Sequence, residues 1–217
     1  MEITVYTAIL GGYDKLRAPA VIEPGVRYVC LTDTPASVSE PWETMAAPTP
    51  FLDMQRNSRA PKIMAHQHIH SEYSIWHDGC FYLAVSPSDL ISRDLDGADM
   101  ALYRHPCRQS VWEEAQACEE FGIGEPELIQ EQVMRYRDLG LPNGLWAGGM
   151  VIRKHTKAVE RFNCAWWSEY LRRSSRDQLS LPYALWSSGV NYATINGDIL
   201  TDSSRLHFHF HAASDRS

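Results

Sequence analysis

Tyr73-Ser74-Ile75-Trp76-His77-Asp78-Gly79 is the stretch on which the reading of this 217-residue chain turns. Tyr73 to Trp76 reads as a short buried strand that runs into an acidic residue and then a glycine. A strand covered on both faces of a parallel sheet looks like an unbroken apolar run, and ligands gather at the carboxyl ends of such strands. Asp78 stands at that end, where a carboxylate can hold a divalent cation. Gly79 lets the backbone turn sharply and lets a ligand come close. An Asp-Gly pair also closes ordinary turns, so its place after a buried strand is what marks Asp78. The expectation is an active-site floor here, with the rest of the chain as its walls.

On the amino-terminal side, Glu2 to Ala8 is an apolar, β-branched first strand that feeds a loop with Gly11 and Gly12. Arg27 to Thr32 is a second strand, ending on Asp33. Two strands that end in polar loops predict an α/β nucleotide-binding half. Pro35 to Pro50 reads as a surface connection. A helix is predicted over Asn57 to His70, with Pro61 in its first turn. Arg59 and Lys62, three apart, then share one face. That face suits a diphosphate, through a planar fork and a point charge, and it equally suits plain solvation.

On the carboxyl side, Ser86-Pro87 caps a helix to about Arg93, and Asp99 to Tyr103 is a strand. Ser110 to Glu113 is a capping box for a helix to about Phe121. Glu125-Pro126 opens another, ending near Gly140. Ala147 to Arg153 is a strand containing Gly148 and Gly149, and Thr156 to Arg172 is helical. Asp177-Gln178 opens a helix that Pro182 limits or kinks. Its carboxylate serves either as a cap or as a site residue facing Asp78. Asn191 to Ile195 is a short strand. In Leu206 to His211, period two puts His207, His209 and His211 on one face, so one of them can complete a metal site with Asp78. His66, His68 and His70 alternate as well, but on a helix they would not share a face. With no repeat and no long linker, the chain is read as a single domain.

The composition is 44% hydrophobic and 22% charged, ordinary for a globular protein. A net charge of -7 argues against nucleic acid as a partner. No apolar run approaches the ~20 residues of a transmembrane helix, which leaves peripheral membrane association open. The five cysteines are scattered, with no Cys-x-x-Cys pair, so reduced thiols and a cytoplasmic location are expected.

Several stretches together, in order, resemble one family. They are Tyr6 to Asp14, Arg59-x-x-Lys62-x-x-x-His66, Ser74-Ile-Trp-x-Asp78-Gly79, His105-Pro-x-Arg108, Glu113-Glu114, Gly144 to Gly149 and Arg176-Asp-Gln-Leu-Ser180. The set, over about residues 1 to 190, resembles the glycosyltransferase-like domain family of plant mucilage and turgor-regulation proteins and bacterial polysaccharide loci. The resemblance implies an α/β, GT-A-like single domain with a mostly parallel central sheet flanked by helices. Residues 1 to about 105 would be the nucleotide-sugar half and about 106 to 217 the acceptor half. It implies transfer of a sugar from a nucleotide-diphosphate sugar, UDP favoured, to a glycan or other hydroxyl acceptor, assisted by Mn2+ or Mg2+. Asp78 with His207 or His209 would hold the metal, although Trp76-His77-Asp78 matches only the last acid of an Asp-x-Asp motif. Arg59 and Lys62 would meet the diphosphate, and Thr7, Ala8 and Tyr13 the base and ribose. Asp33 and Trp76 join the nucleotide-sugar set. Gly148, Gly149, Asp177 and Gln178 would face donor sugar and acceptor, with Asp177 and Gln178 as the catalytic pair. The competing readings are a metal-dependent hydrolase of a lipid amide or glycan, and an inert sugar- or nucleotide-binding module.

Overall fold

β1 (Ile3–Ile9) is buried at nearly every position, as a strand covered on both faces must be. It pairs in parallel with β2 (Arg27–Thr32) on one side. β3 (Glu43–Ala46) adds in parallel beyond β2 as a short edge strand. Helix α1 (Met54–Ile63) then leads to β4 (Tyr73–His77), which pairs in parallel with the other side of β1. This is a computed structural model, and it describes residues 1–34 and 38–209.

The second part of the chain completes the same sheet. β5 (Phe81–Leu83) and α2 (Pro87–Asp94) precede β6 (Met100–Arg104). Helices α3 (Val111–Glu120) and α4 (Pro126–Asp138) follow, then β7 (Trp146–Lys154). α5 (Lys157–Arg172), α6 (Asp177–Ser188), β8 (Tyr192–Ile195) and β9 (Leu206–Phe208) end the described chain. The sheet order is β3-β2-β1-β4-β7-β6-β8. β7 pairs antiparallel with both β4 and β6, and β8 pairs parallel with β6, so β7 alone runs against the rest. The result is an α/β single domain whose central sheet is mostly parallel.

Two apolar layers cover the sheet. On one face, Tyr6, Leu31, Trp76 and Val151 pack against Ile63 of α1, Phe162 and Trp166 of α5, and Leu181 of α6. On the other, Val5, Ile75 and Ile152 meet Leu90 of α2 and the β5–β9 ribbon through Phe81, Leu83 and Leu206. A satellite core joins α3, α4 and Leu179 of α6. Among the described residues no helix is long and apolar enough to cross a membrane.

Several boundaries differ from the sequence expectation. The stretch read as a surface connection contains β3, whose residues are largely exposed and so carry no apolar alternation. α1 starts at Met54, where Asp53 accepts the Gln55 N–H at 2.8 Å, and it stops at Ile63. Pro61 therefore lies in its last turn, not its first. His66 falls in a 3-10 turn at Ala65–Gln67, where its Nδ1 lies 3.2 Å from Asn163 Nδ2. Pro182 does not end α6, which runs on to Ser188. Among the described residues of the tail, Leu206–Phe208 form a strand, paired with β5; His211 lies outside the described residues.

Candidate active site

At the carboxyl edge of the parallel strands a cleft of about 560 Å³ opens between the ends of β1 and β4 and the helices α1 and α6. Its floor is ionic. The Lys62 ammonium, buried, sits 3.2 Å from Asp78 Oδ1 and 2.9 Å from Asp177 Oδ2. Arg59 Nε lies 3.4 Å from Asp177 Oδ1. The three-residue spacing on α1 is what turns both cations to one carboxylate. Asp177 is the first residue of α6, and the N-cap position before it is taken by Arg176. The cap reading is thus set aside by the ion pairs.

Burial alone would raise the Asp177 pKa, but Lys62 and Arg59 carry it well below the usual carboxylate range. The Asp177 charge in turn raises the Arg59 pKa. Asp78 is fixed by its own strand: the Trp76 indole N–H donates to Oδ1 at 2.9 Å, and the Asp78 N–H donates to the Gly149 carbonyl at 2.8 Å. Next to it His77 is fully buried, and burial holds its imidazole down at about 4. At neutral pH it is uncharged, with Nδ1 3.1 Å from the Asp78 carbonyl oxygen.

Glycines make this packing feasible. A Cβ at Gly148 would lie 3.1 Å from both Cε and Nζ of Lys62, so that glycine makes room for the ammonium. At Gly79 a Cβ would come within 2.6 Å of Asp14 Oδ2, so that glycine admits a second carboxylate beside Asp78. Gly149 instead admits Ile199 and Phe81, which belong to the core.

The structure brings Ala8, Tyr13, Arg59, Trp76 and Asp78 to the cleft wall, with Lys62, Asp177 and Gly148 in its floor. Other predicted residues are held by contacts of their own. Thr7 is fully buried in β1. Asp33 accepts the Gly11 N–H at 3.0 Å and so ties down the loop after β1. The Gln178 amide donates to the Trp146 carbonyl. The His207 ring lies 5.0 Å from the Tyr82 ring, and the His209 N–H donates to the Cys80 carbonyl at 2.9 Å. Two charged residues of the cleft carry no assigned role from the sequence reading, Asp14 and Arg176. The strand-end argument that marked Asp78 and Asp33 applies equally to Asp14, which follows the Gly11-Gly12 loop.

The donor set suits a hard divalent cation. Asp78 Oδ1 takes both the Trp76 and Lys62 contacts, leaving Oδ2 with neither, and Asp14 lines the same wall. Mg2+ and Mn2+ take one or two carboxylates together with substrate phosphates and water. Among the described residues no three His, Cys, Asp or Glu side chains converge, so most ligands would come from the substrate.

Residues 41–208 match the family model described as TOD1/MUCI70, glycosyltransferase-like domain. The probable hexosyltransferase MUCI70 of Arabidopsis thaliana is 32% identical over 144 residues, which cover 60% of this chain and 25% of that protein. The match thus spans about a quarter of the length of that relative. Among solved structures, the apo WbbM bifunctional glycosyltransferase is similar at a TM-score of 0.53 and 13% identity, over 89% of this chain and 38% of the other. That similarity is one of fold.

Proposed function

This chain belongs to the TOD1/MUCI70 glycosyltransferase-like domain family, and from that premise we propose that it moves a sugar from a nucleoside-diphosphate sugar to a hydroxyl of a glycan or similar acceptor. UDP is the favoured carrier. The observation that carries this reading is the ionic floor of Asp78, Lys62, Asp177 and Arg59 at the carboxyl edge of the sheet. Cleaving the sugar–phosphate bond leaves a diphosphate whose growing negative charge needs cations already in place. Lys62 and Arg59 are such cations, held by carboxylates rather than reorganised during the reaction. Tyr13, with its exposed ring, and Ala8 and Trp76 form the wall against which a base and ribose would lie.

Asp78 Oδ2, with Asp14 beside it, would hold Mn2+ or Mg2+. Of the tail histidines we retain His209, whose amide is bonded to cleft-lining Cys80. When bound, the metal would neutralise part of the diphosphate charge. Asp177 suits positioning better than proton abstraction. A general base works best with a pKa near the working pH, and Lys62 and Arg59 hold this carboxylate far below that. Its work is to orient those two side chains toward the donor.

A thermal-shift screen tests the reading, using UDP, GDP, CDP and ADP, each with Mn2+, Mg2+ or a chelator. A ligand at ~100 times its dissociation constant adds about 2.7 kcal/mol of stability. The expected result is a shift with one nucleotide that requires metal and disappears in Asp78→Ala. No shift with any nucleotide under any of these conditions would remove the proposal.

A further inference from the structure

The two cations in the floor are already matched. Lys62 and Arg59 face Asp78 and Asp177, one carboxylate for each positive charge. That balanced floor can meet charge as it grows on a bound diphosphate, but it holds no surplus charge to draw the anion in. The surplus lies one residue along the chain. Glu114, 1% exposed, receives Arg108 Nε on Oε2 at 2.6 Å and Arg176 Nε on Oε1 at 2.9 Å. Two guanidinium groups thus share one carboxylate. Asp177 also attracts Arg176, but its oxygens are occupied by Arg59 and Lys62.

Arg176 lines the cleft beside Arg59. Its Nε is committed to Glu114, while its two Nη atoms make no hydrogen bond to the described residues. A guanidinium held at one nitrogen and open at the other two is preorganised for an oxyanion, which it meets through parallel N–H donors. A carboxylate out of water is costly unless fully paired, and these two arginines pair Glu114.

We propose that Arg176 is a further anion-binding residue of the cleft, contacting the phosphate oxygens of the nucleoside diphosphate, and that Glu114 is the residue that positions it. This rests on the cleft taking a nucleotide sugar. It places the net positive charge of the site on the α3–α6 side.

The test measures binding of inorganic pyrophosphate, UDP and uridine by calorimetry, with and without Mg2+, to the full chain and to Arg176→Ala, Arg176→Lys and Glu114→Gln. Arg176→Ala should weaken UDP and pyrophosphate by about tenfold or more and leave uridine unchanged. Arg176→Lys, which keeps the charge without the fork, should recover part of the loss. Glu114→Gln puts an amide donor against one arginine N–H, so it should show the same selective loss, smaller in size, with residue 176 intact. A merely structural role would lower binding of all three ligands together. An unchanged UDP-to-uridine ratio in Arg176→Ala overturns the inference and leaves the transferase reading standing. Pyrophosphate binding that depends on Arg176, without binding of any nucleotide, supports the subsite and removes the nucleotide-sugar reading. No binding of either anion to the unaltered chain overturns both.

Discussion

At the scale of single residues, Lys62 is the pivot, and two neighbours test it. Gly148→Ala places a methyl 3.1 Å from the Lys62 Cε and Nζ, with Trp166 in ordinary contact at 3.7 Å. The lysine must then give by a few tenths of an ångström, which disturbs its contacts with Asp78 and Asp177. The expected stability loss is about 1 to 2 kcal/mol, accompanied by loss of nucleotide binding; thermal melts with and without UDP report both. Asp177→Asn leaves Arg59 without its partner and Lys62 with one carboxylate, at a cost of about 3 kcal/mol near neutral pH. The sign of the pH dependence follows from the depressed pKa. Asp177 stabilises the fold above its unfolded pKa of about 3.9, and that contribution fades as pH falls through the lower folded value. Urea midpoints of the two proteins should therefore converge at strongly acid pH. Spacing alone made Arg59 and Lys62 readable as a pair. It could not tell whether Asp177 capped a helix or met those cations, because the difference lies in a contact between α1 and α6. Arg176 stayed without a role for the same reason: its charge is meaningful only once Glu114 is seen to be shared.

At the scale of elements, α1 delivers both cations, and its buried end needs a counterpart. The Lys62 carbonyl, one of the last in the helix, accepts from Arg153 Nη2 at 2.9 Å, and Arg153 Nη1 donates to the Tyr6 hydroxyl at 3.1 Å. A fully buried arginine thus terminates the helix at its negative pole. Burial lowers its pKa, yet no acid is paired with it among the described residues. Arg153→Met should cost about 3 kcal/mol, because it removes the donor to a buried carbonyl and one partner of the buried Tyr6 hydroxyl; denaturant unfolding gives the value. At the end of β7, His155 Nε2 lies 2.8 Å from Ser74 Oγ, and burial, with Arg153, His66 and His70 adding, holds its pKa at about 4. The unfolded chain takes up that proton near 6.5, so stability should fall as pH drops from about 6.5 to 4 and then level off. The slope should be shallower in His155→Gln. The apolar runs of β1, β4 and β7 were readable because both faces are covered. The start of α1 was not: its cap Asp53 precedes a polar turn, and Pro61 follows the rule for helix starts while lying in the last turn.

At the scale of the whole molecule, alternation of strands and helices was enough for an α/β domain with its cleft at the strand ends. Strand direction was not readable, since a buried apolar run carries the same signature whichever way it points. β7 is the case in point. It is the sole link between β4 and β6, which do not touch each other in the sheet. During synthesis, β4 therefore emerges with a bare edge and must wait for residues 146–154 before that edge is closed. Until then the β3-β2-β1-β4 layer is an incomplete sheet with unpaired backbone donors and acceptors, the kind of surface that recruits other nascent chains. A product that stops after residue 105 should partition to the pellet, and one that extends through β7 should be less prone to do so, as fractionation of cell lysates would show. The strand that shapes the floor of the cleft is thus also the step at which the growing polypeptide stops being adhesive.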